Sequence, residues 1–328
     1  MAKGFFTQGV VVLLEKPIPL DSLTGVLGDF EIVGREEHSD DWLMSGPSLT
    51  LAFRPEVNGF VSIDLVGQTW PDGMGDPQHE ASLFGAWSTG FFGPFTFPGN
   101  LKRAVQQAWH WPAAEATVAQ HGAFLRVRSS YVFGAASDAL AMPRDYDADR
   151  EAAFVLDVAQ ALLDIPDALC YFNPNGEVLL SREEFSERLR HDAAEKLLPL
   201  DILSNVRLMN IDEQWALMDT VGMAQLDAPD HEACFTRGYD PVEVAAFLRD
   251  ISLYRLQQGD VIRDDNTTDG PGRTRWRARA FEEPLAEPPR TTLRWLPEDG
   301  SEPPRAVGFS TRPPGTPGKR RWPFGKRD

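Results

Sequence analysis

The stretch formed by residues 121–208 constrains the fold most, because its hydrophobic segments have clear periodicities and are separated by turn and capping residues. Apolar residues at alternate positions indicate strands, whereas apolar residues three or four positions apart indicate helices. The segments in order are a strand at 122–128, a helix at 150–163, strands at 168–172 and 177–180, a helix at 181–199 and a strand at 202–208. This order, β-α-β-β-α-β, predicts the split βαβ arrangement of a ferredoxin-like fold.

Two local signals support these assignments. The turn sequence Asn-Pro-Asn-Gly at residues 173–176 predicts a hairpin between the strands on either side of it. Ser181 followed by Glu184 is the pattern of a capping box, which places the start of the second helix. The apolar residues of this stretch that are predicted to lie in the core are Phe124, Val155, Val158, Phe185 and Leu189.

The residues before this stretch predict a second α+β unit. Apolar patterns indicate a strand at 10–14, a helix at 20–27, strands at 31–33, 48–53 and 60–66, and a helix at 101–109. Residues 67–99 interrupt the periodicity and predict a long loop, which is uncommon in compact domains and often functional. The prediction is therefore an α+β protein with two packed ferredoxin-like halves, residues 1–112 and 113–281.

Proline and charged residues dominate the sequence from residue 282 onward. Such a composition lacks the apolar residues that a packed core requires, so residues 282–328 are predicted to form a flexible, disordered tail. The end of this predicted tail is basic, with Lys319, Arg320, Arg321, Lys326 and Arg327 among the last ten residues.

The chain is strongly acidic, with 49 acidic and 32 basic residues and a formal net charge of -17. This charge repels nucleic-acid phosphates and anionic lipids, so the expected partner is a protein that is basic or neutral. Only two cysteines are present, and no apolar run reaches the roughly 18 residues of a membrane helix. These features predict a cytoplasmic protein with neither a disulfide framework nor a membrane span.

One polar cluster has the residue types of an active site. Asp230, His231 and Glu232 are adjacent, and an imidazole oriented by a carboxylate is a recurrent base or metal ligand. Together with His121 they are the candidate catalytic residues of a hydrolase or a metal-dependent enzyme. Adjacent residues of an extended segment point to opposite sides, so a structural or surface role is the alternative. The common catalytic and nucleotide-binding motifs are missing from the sequence, and no cofactor or metal is predicted.

The loop at residues 67–99, here called the aromatic loop, is unusually rich in large rings. Aromatic side chains between glycines can form a surface for a protein partner. The candidate binding residues are Trp70, Phe84, Trp87, Phe91 and Phe92. The alternative is that these rings fill the space between the two halves, because many exposed rings would promote aggregation.

Three blocks of sequence, at residues 93–104, 121–127 and 221–230, resemble the bacterial family named domain of unknown function forty-two sixty-one. The resemblance covers most of residues 5–270 and leaves out the predicted tail. It implies no established reaction, and it suggests proximity to secretion and interbacterial competition genes. The predicted function is a non-catalytic interaction protein, an antagonist or accessory in such a system, and the alternative is the enzyme described above.

Overall fold

The computed structural model describes residues 3–38, 41–133 and 141–308. The basic end at residues 319–328 lies outside the described residues. Two β-sheets and eight α-helices form the described part of the chain, so the α+β class is confirmed. Within that part, no helix combines the length and the apolar character that crossing a bilayer requires.

The first sheet has seven strands, and each neighbouring pair in it is antiparallel. The strands are β1 (Gln8–Leu14), β2 (Ile32–Glu36), β3 (Ser48–Arg54), β4 (Gly59–Val66), β5 (Ala123–Ser130), β6 (Ala168–Asn173) and β7 (Val178–Leu180). Their order is β2-β3-β4-β5-β1-β6-β7. The apolar run of β1 lies between β5 and β6 and is buried on both faces, as expected for a continuous apolar strand.

Seven helices accompany the first sheet along the chain, and they cover both of its faces. They are α1 (Leu20–Val26), α2 (Ala81–Ser88), α3 (Asn100–Gln107), α4 (Ala114–Val118), α5 (Ala148–Leu162), α6 (Arg182–Glu195) and α7 (Leu200–Leu203). Val10 and Val12 pack in the core that contains α1 and α5, whereas Val11 and Leu13 pack with the aromatic loop, α3 and α4. This division follows the two-residue period of a strand.

The second sheet has six strands in the order β11-β12-β13-β10-β9-β8. They are β8 (Asn205–Asn210), β9 (Trp215–Val221), β10 (Asp230–Thr236), β11 (Thr267–Gly270), β12 (Thr274–Phe281) and β13 (Thr292–Pro297). Only the pairing of β10 with β13 is parallel among these described strands. Helix α8 (Pro241–Gln258) covers one face, where Phe247 and Leu248 pack in one core with Trp276 and Trp295.

The predicted ferredoxin-like arrangement is not reproduced by this topology. Strand β8, which was expected to complete the split βαβ unit, pairs with β9 in the second sheet, and β1 separates β5 from β6 in the first. The predicted division between residues 112 and 113 is also wrong, because β5, β6 and β7 share a sheet with β1 to β4. Local periodicity identifies strands, but long-range packing decides which strands pair.

The predicted tail boundary at residue 282 is wrong for residues 282–308. Strand β13 lies between β12 and β10 at the centre of the second sheet, and its residues are buried. Leu293 and Trp295 face α8, while Arg294 pairs with Glu232 on the opposite face. One strand flanked by prolines barely changes the average composition of this region, so composition does not reveal it. The alternating large side chains of β13 nevertheless fit a strand that is buried in a sheet.

The core residues predicted from the stretch at residues 121–208 are correctly placed. Phe124, Val155, Val158 and Phe185 are buried, and Leu189 is half-buried against the same core. The hairpin between β6 and β7 is also confirmed. The helical and strand patterns of this stretch therefore identify buried faces correctly even though the predicted pairing fails.

The predicted capping box at the start of α6 is present. The Ser181 hydroxyl accepts a hydrogen bond from the Glu184 backbone N–H at 3.2 Å, and the Glu184 carboxylate accepts one from the Ser181 N–H at 3.3 Å. We expect Ser181→Ala to lower the free energy of unfolding by about 1 kcal/mol, because the Glu184 backbone N–H loses the hydroxyl that accepts its hydrogen bond. Urea unfolding measures this change. Ser186→Ala in the same helix is the control, and an equal loss in both variants would contradict the capping role.

Candidate functional site

The predicted catalytic triplet lies in β10, and its side chains do not converge. Asp230 and Glu232 lie on one face of the second sheet, whereas His231 lies on the face covered by α8. All three are buried. The alternation expected for an extended segment therefore places the imidazole and the two carboxylates in different environments.

The two carboxylates are already engaged by the protein. Asp230 accepts hydrogen bonds from the Thr220 hydroxyl at 2.8 Å and the Met223 N–H at 3.2 Å. Burial raises the pKa of Asp230 to about 6, although the nearby Arg290 guanidinium opposes this rise. Glu232 accepts from Arg294 Nε at 2.8 Å. Both carboxylates therefore hold neighbouring segments in place.

His231 is a neutral, buried imidazole. Its Nδ1 accepts a hydrogen bond from Trp295 Nε1 at 3.2 Å, and its Nε2 has no hydrogen-bond partner among the described residues. Burial lowers the pKa of His231 to about 3, and the charge of Arg255 acts in the same direction. Such an imidazole stays uncharged at physiological pH.

The buried His231 predicts acid-dependent stability. The unfolded state takes up a proton near pH 6.5 but the folded state does so only near pH 3, so the histidine contribution to stability falls as the pH falls through this interval. His231→Gln keeps an acceptor for Trp295 and does not titrate. Between about pH 6 and pH 4, we expect the wild type to lose about 1 kcal/mol more per pH unit than the variant. Urea unfolding of both proteins at a series of pH values measures how the free energy of unfolding depends on pH. Equal slopes for the two proteins would contradict a neutral His231.

His121, the fourth candidate, belongs to the first sheet. It precedes β5, and its Nε2 accepts a hydrogen bond from the Trp70 N–H at 2.9 Å. Its Nδ1 contacts the Val118 carbonyl oxygen. His121 therefore fixes the start of the aromatic loop, and it does not join the triplet in β10.

The aromatic loop forms a packing layer. Trp70, Trp87 and Phe92 are buried, while Phe84 and Phe91 are half-buried. The rings of Trp87 and Phe92 are 4.3 Å apart between centroids, and the same core contains residues of β1, α3 and α4. The prediction that Trp70, Trp87 and Phe92 form a partner surface is therefore wrong. Their rings cover one face of the first sheet.

A cleft of about 990 Å³ opens beside the carboxyl-terminal end of β12 and the amino-terminal ends of β10 and β13. We call it the acidic cleft, because five carboxylates and three arginines line it. The carboxylates belong to Asp227, Asp230, Asp260, Asp264 and Glu282. The arginines are Arg255, Arg263 and Arg290, and the apolar lining includes Phe95, Ala228, Ile262 and Leu293. Phe95 is contributed by the aromatic loop, so both parts of the fold form the cleft.

Two of these carboxylates are open to a ligand. The Asp227 side chain is 54% exposed although it pairs with Lys3 at 3.2 Å. Glu282 is exposed, and within the described residues it has no hydrogen-bond or ion-pair partner. By contrast, Asp260 is paired with Arg255 and Arg263, and Asp264 is paired with Arg279 at 3.4 Å. A bound cation can therefore reach Asp227 and Glu282 while breaking the fewest existing ion pairs.

A chain of buried ion pairs joins the acidic cleft to the first sheet. Arg290 pairs with Asp230 at 3.4 Å and also with Asp219. Arg207 bridges Asp219 at 2.7 Å and Glu177 at 2.9 Å. Glu177 precedes β7, so this chain of alternating charges connects one sheet to the other. Buried charges of this kind need their partners, so the loss of one member would leave another buried charge uncompensated.

Local sequence patterns do not predict the acidic cleft, because its residues come from separate segments. Asp227 precedes β10, Asp264 follows α8 and Glu282 follows β12. The one usable signal was the charge inside apolar strands, as in Arg294 of β13. Among the residues that the structure describes, no three His, Cys, Asp or Glu side chains are arranged to hold a metal ion.

Residues 219–296 match the family described as domain of unknown function (DUF4261). The match confirms the resemblance for this part of the chain. It runs from the end of β9 through α8 and into β13, and it includes most of the residues that line the acidic cleft. It continues into residues 282–296, which the composition alone predicts to be part of a tail. The similar blocks at residues 93–104 and 121–127 lie outside it. No curated protein and no solved structure gives a significant match to the chain.

Proposed function

We propose that this protein is a non-catalytic interaction protein that binds a basic segment of a partner protein in the acidic cleft. The observation that carries the proposal is the excess of carboxylates over arginines in a cleft of about 990 Å³. A cytoplasmic role as an antagonist or accessory in a bacterial competition or secretion system is the biological setting that we propose from the resemblance.

The lining suits the side chains of lysine and arginine. Their aliphatic stems pack on apolar surface while their charged ends remain near water or a counterion. In the acidic cleft, Ala228, Ile262 and Leu293 offer apolar surface, and Asp227 and Glu282 offer accessible carboxylates. The volume is at the upper end of the range in which proteins hold small molecules, so it accommodates a few side chains.

The net charge of -17 supports the same partner chemistry. An acidic surface accelerates the approach of a basic partner, and salt weakens this attraction above about 0.1 M, where the Debye length is roughly 10 Å. The enzymatic alternative would need Asp230, His231 and Glu232 around one substrate, and these side chains lie on two faces of the sheet.

A matched pair of double variants tests the proposal. Asp227→Asn with Glu282→Gln removes two accessible carboxylates of the cleft, and asparagine tolerates the positive φ of residue 227. Glu115→Gln with Glu195→Gln removes two exposed carboxylates outside the cleft lining. The probe is a fluorescent, acetylated peptide of alternating arginine and leucine.

We expect the cleft variant to bind the probe at least about tenfold more weakly than the wild type, because two charge-assisted contacts are lost. The control variant should bind like the wild type. Fluorescence anisotropy measures the affinity, and melting temperatures show whether both variants fold. Equal affinity of the two variants would overturn the proposal.

A further inference from the structure

We propose that residues 309–328 of the same chain bind in the acidic cleft and compete there with the partner segment. This inference rests on the proposed function for the partner, but it concerns a different occupant of the cleft. It makes the protein self-inhibited, with partner binding requiring displacement of its own basic segment.

The described chain ends close to the cleft. Val307 is fully buried, and its carbonyl oxygen accepts a hydrogen bond from Arg294 Nη1. Gly308 lies against the ring of Phe281. The neighbours of Phe281 in sequence, Ala280 and Glu282, both line the cleft. The described chain therefore ends beside the end of β12, where Ala280 and Glu282 line the acidic cleft.

The charge of residues 309–328 is opposite to that of the rest of the protein. This segment contains six basic residues and one acidic residue in a chain whose net charge is -17. Its basic residues are Arg312, Lys319, Arg320, Arg321, Lys326 and Arg327. Its length of 20 residues allows a maximum reach of about 65 Å, so every side of the cleft is within range.

Attachment to the same chain strengthens this binding. A segment tethered near its site has an effective concentration on the order of millimolar, so a weak contact is enough to fill the cleft. A partner then binds only the fraction of molecules in which the cleft is open, and its apparent affinity falls accordingly. The aromatic residues Trp322 and Phe324 add apolar surface that suits the lining around Ile262 and Leu293.

Cross-linking of the dilute full-length protein with a carbodiimide tests the inference, because this reagent joins an amine and a carboxylate in contact. We expect amide links from Lys319 or Lys326 to Asp227 or Glu282 in products of monomer mass, identified by peptide mass spectrometry. The Asp227→Asn, Glu282→Gln variant should lose these links, and the Glu115→Gln, Glu195→Gln variant should retain them. Links only to carboxylates outside the cleft, links only between molecules, or no links would overturn the inference.

A variant of the basic segment separates this inference from the proposed function. In the full-length chain, Arg320→Ser with Arg321→Ser should bind the arginine-leucine probe at least about threefold more tightly, because the competing segment is weakened. Cleft cross-links without any probe binding would refute the partner proposal and leave the self-inhibited state supported. Probe binding that this variant leaves unchanged would refute the competition. Binding of the segment to vesicles containing anionic lipid, with no cleft cross-links, would assign it to a membrane surface and overturn the inference.

Discussion

A chain that ends at residue 282 should fail to form a stable second sheet. Strand β13 pairs with both β12 and β10, and it contributes Leu293 and the buried Trp295 to the side covered by α8. Its loss would open two strand edges in the middle of the sheet and leave Glu232 buried without Arg294. We expect little soluble protein, and in any soluble fraction a weak near-ultraviolet circular dichroism signal.

A chain that ends at residue 308 is the control for this truncation. It keeps all the contacts made among the described residues, and we expect it to melt close to the full-length protein. Thermal unfolding of the three chains measures the difference. An unchanged melting temperature for the chain ending at residue 282 would contradict the position of β13 and restore the tail boundary predicted from the sequence.

The second large effect concerns Asp64, which is buried between two arginines of β5. Its carboxylate accepts from Arg126 Nε at 3.0 Å and from Arg128 Nη2 at 2.7 Å. Burial opposes the ionisation of Asp64, but the two guanidinium groups outweigh it, so its pKa lies below the usual value. Burial also lowers the pKa of Arg128, to about 9. A single carboxylate is thus the counterion that two buried arginines share.

We expect Asp64→Asn to lower the free energy of unfolding by about 4 kcal/mol or more, because both arginines would remain buried without a negative partner. Urea unfolding at neutral pH measures the loss. Asp21→Asn is the control, since the Asp21 side chain is 85% exposed beside Arg35 and its ion pair is worth little. Similar losses in the two variants would show that Asp64 does not hold this site together.

The elements that the sequence predicted well are those with strong local signals. Helix α6 begins at the predicted capping box of Ser181 and Glu184, and the hairpin of β6 and β7 follows the predicted turn. Strand pairing was not predictable from these signals, because β8 pairs with the following strand β9 and does not join the first sheet, and β13 pairs with β10, which lies far earlier in the sequence. The prolines on both sides of β13 also give this region the composition of a disordered tail. The burial of β13 depends on contacts with α8 and Glu232, which composition does not show.

The candidate site shows the same division. The triplet Asp230, His231 and Glu232 lies in a buried, charged region. The two-residue period of a strand correctly indicated that the His231 side chain points away from the two carboxylates. The arginines that neutralise it, Arg290 and Arg294, lie in the part of the chain that composition assigned to a tail. No local pattern could assemble the acidic cleft from segments that are brought together only by the fold.

Carboxylate labelling tests most directly whether the acidic cleft is the binding site. The full-length Arg320→Ser, Arg321→Ser variant is treated with a carbodiimide and a small amine, with and without saturating arginine-leucine probe, and the labelled residues are quantified by peptide mass spectrometry. Binding in the cleft predicts that the bound probe slows labelling of Asp227 and Glu282 at least about threefold while Glu115 and Glu195 react as before. Unchanged labelling of Asp227 and Glu282 with the probe bound, or equal protection of all four residues, would contradict binding in this cleft.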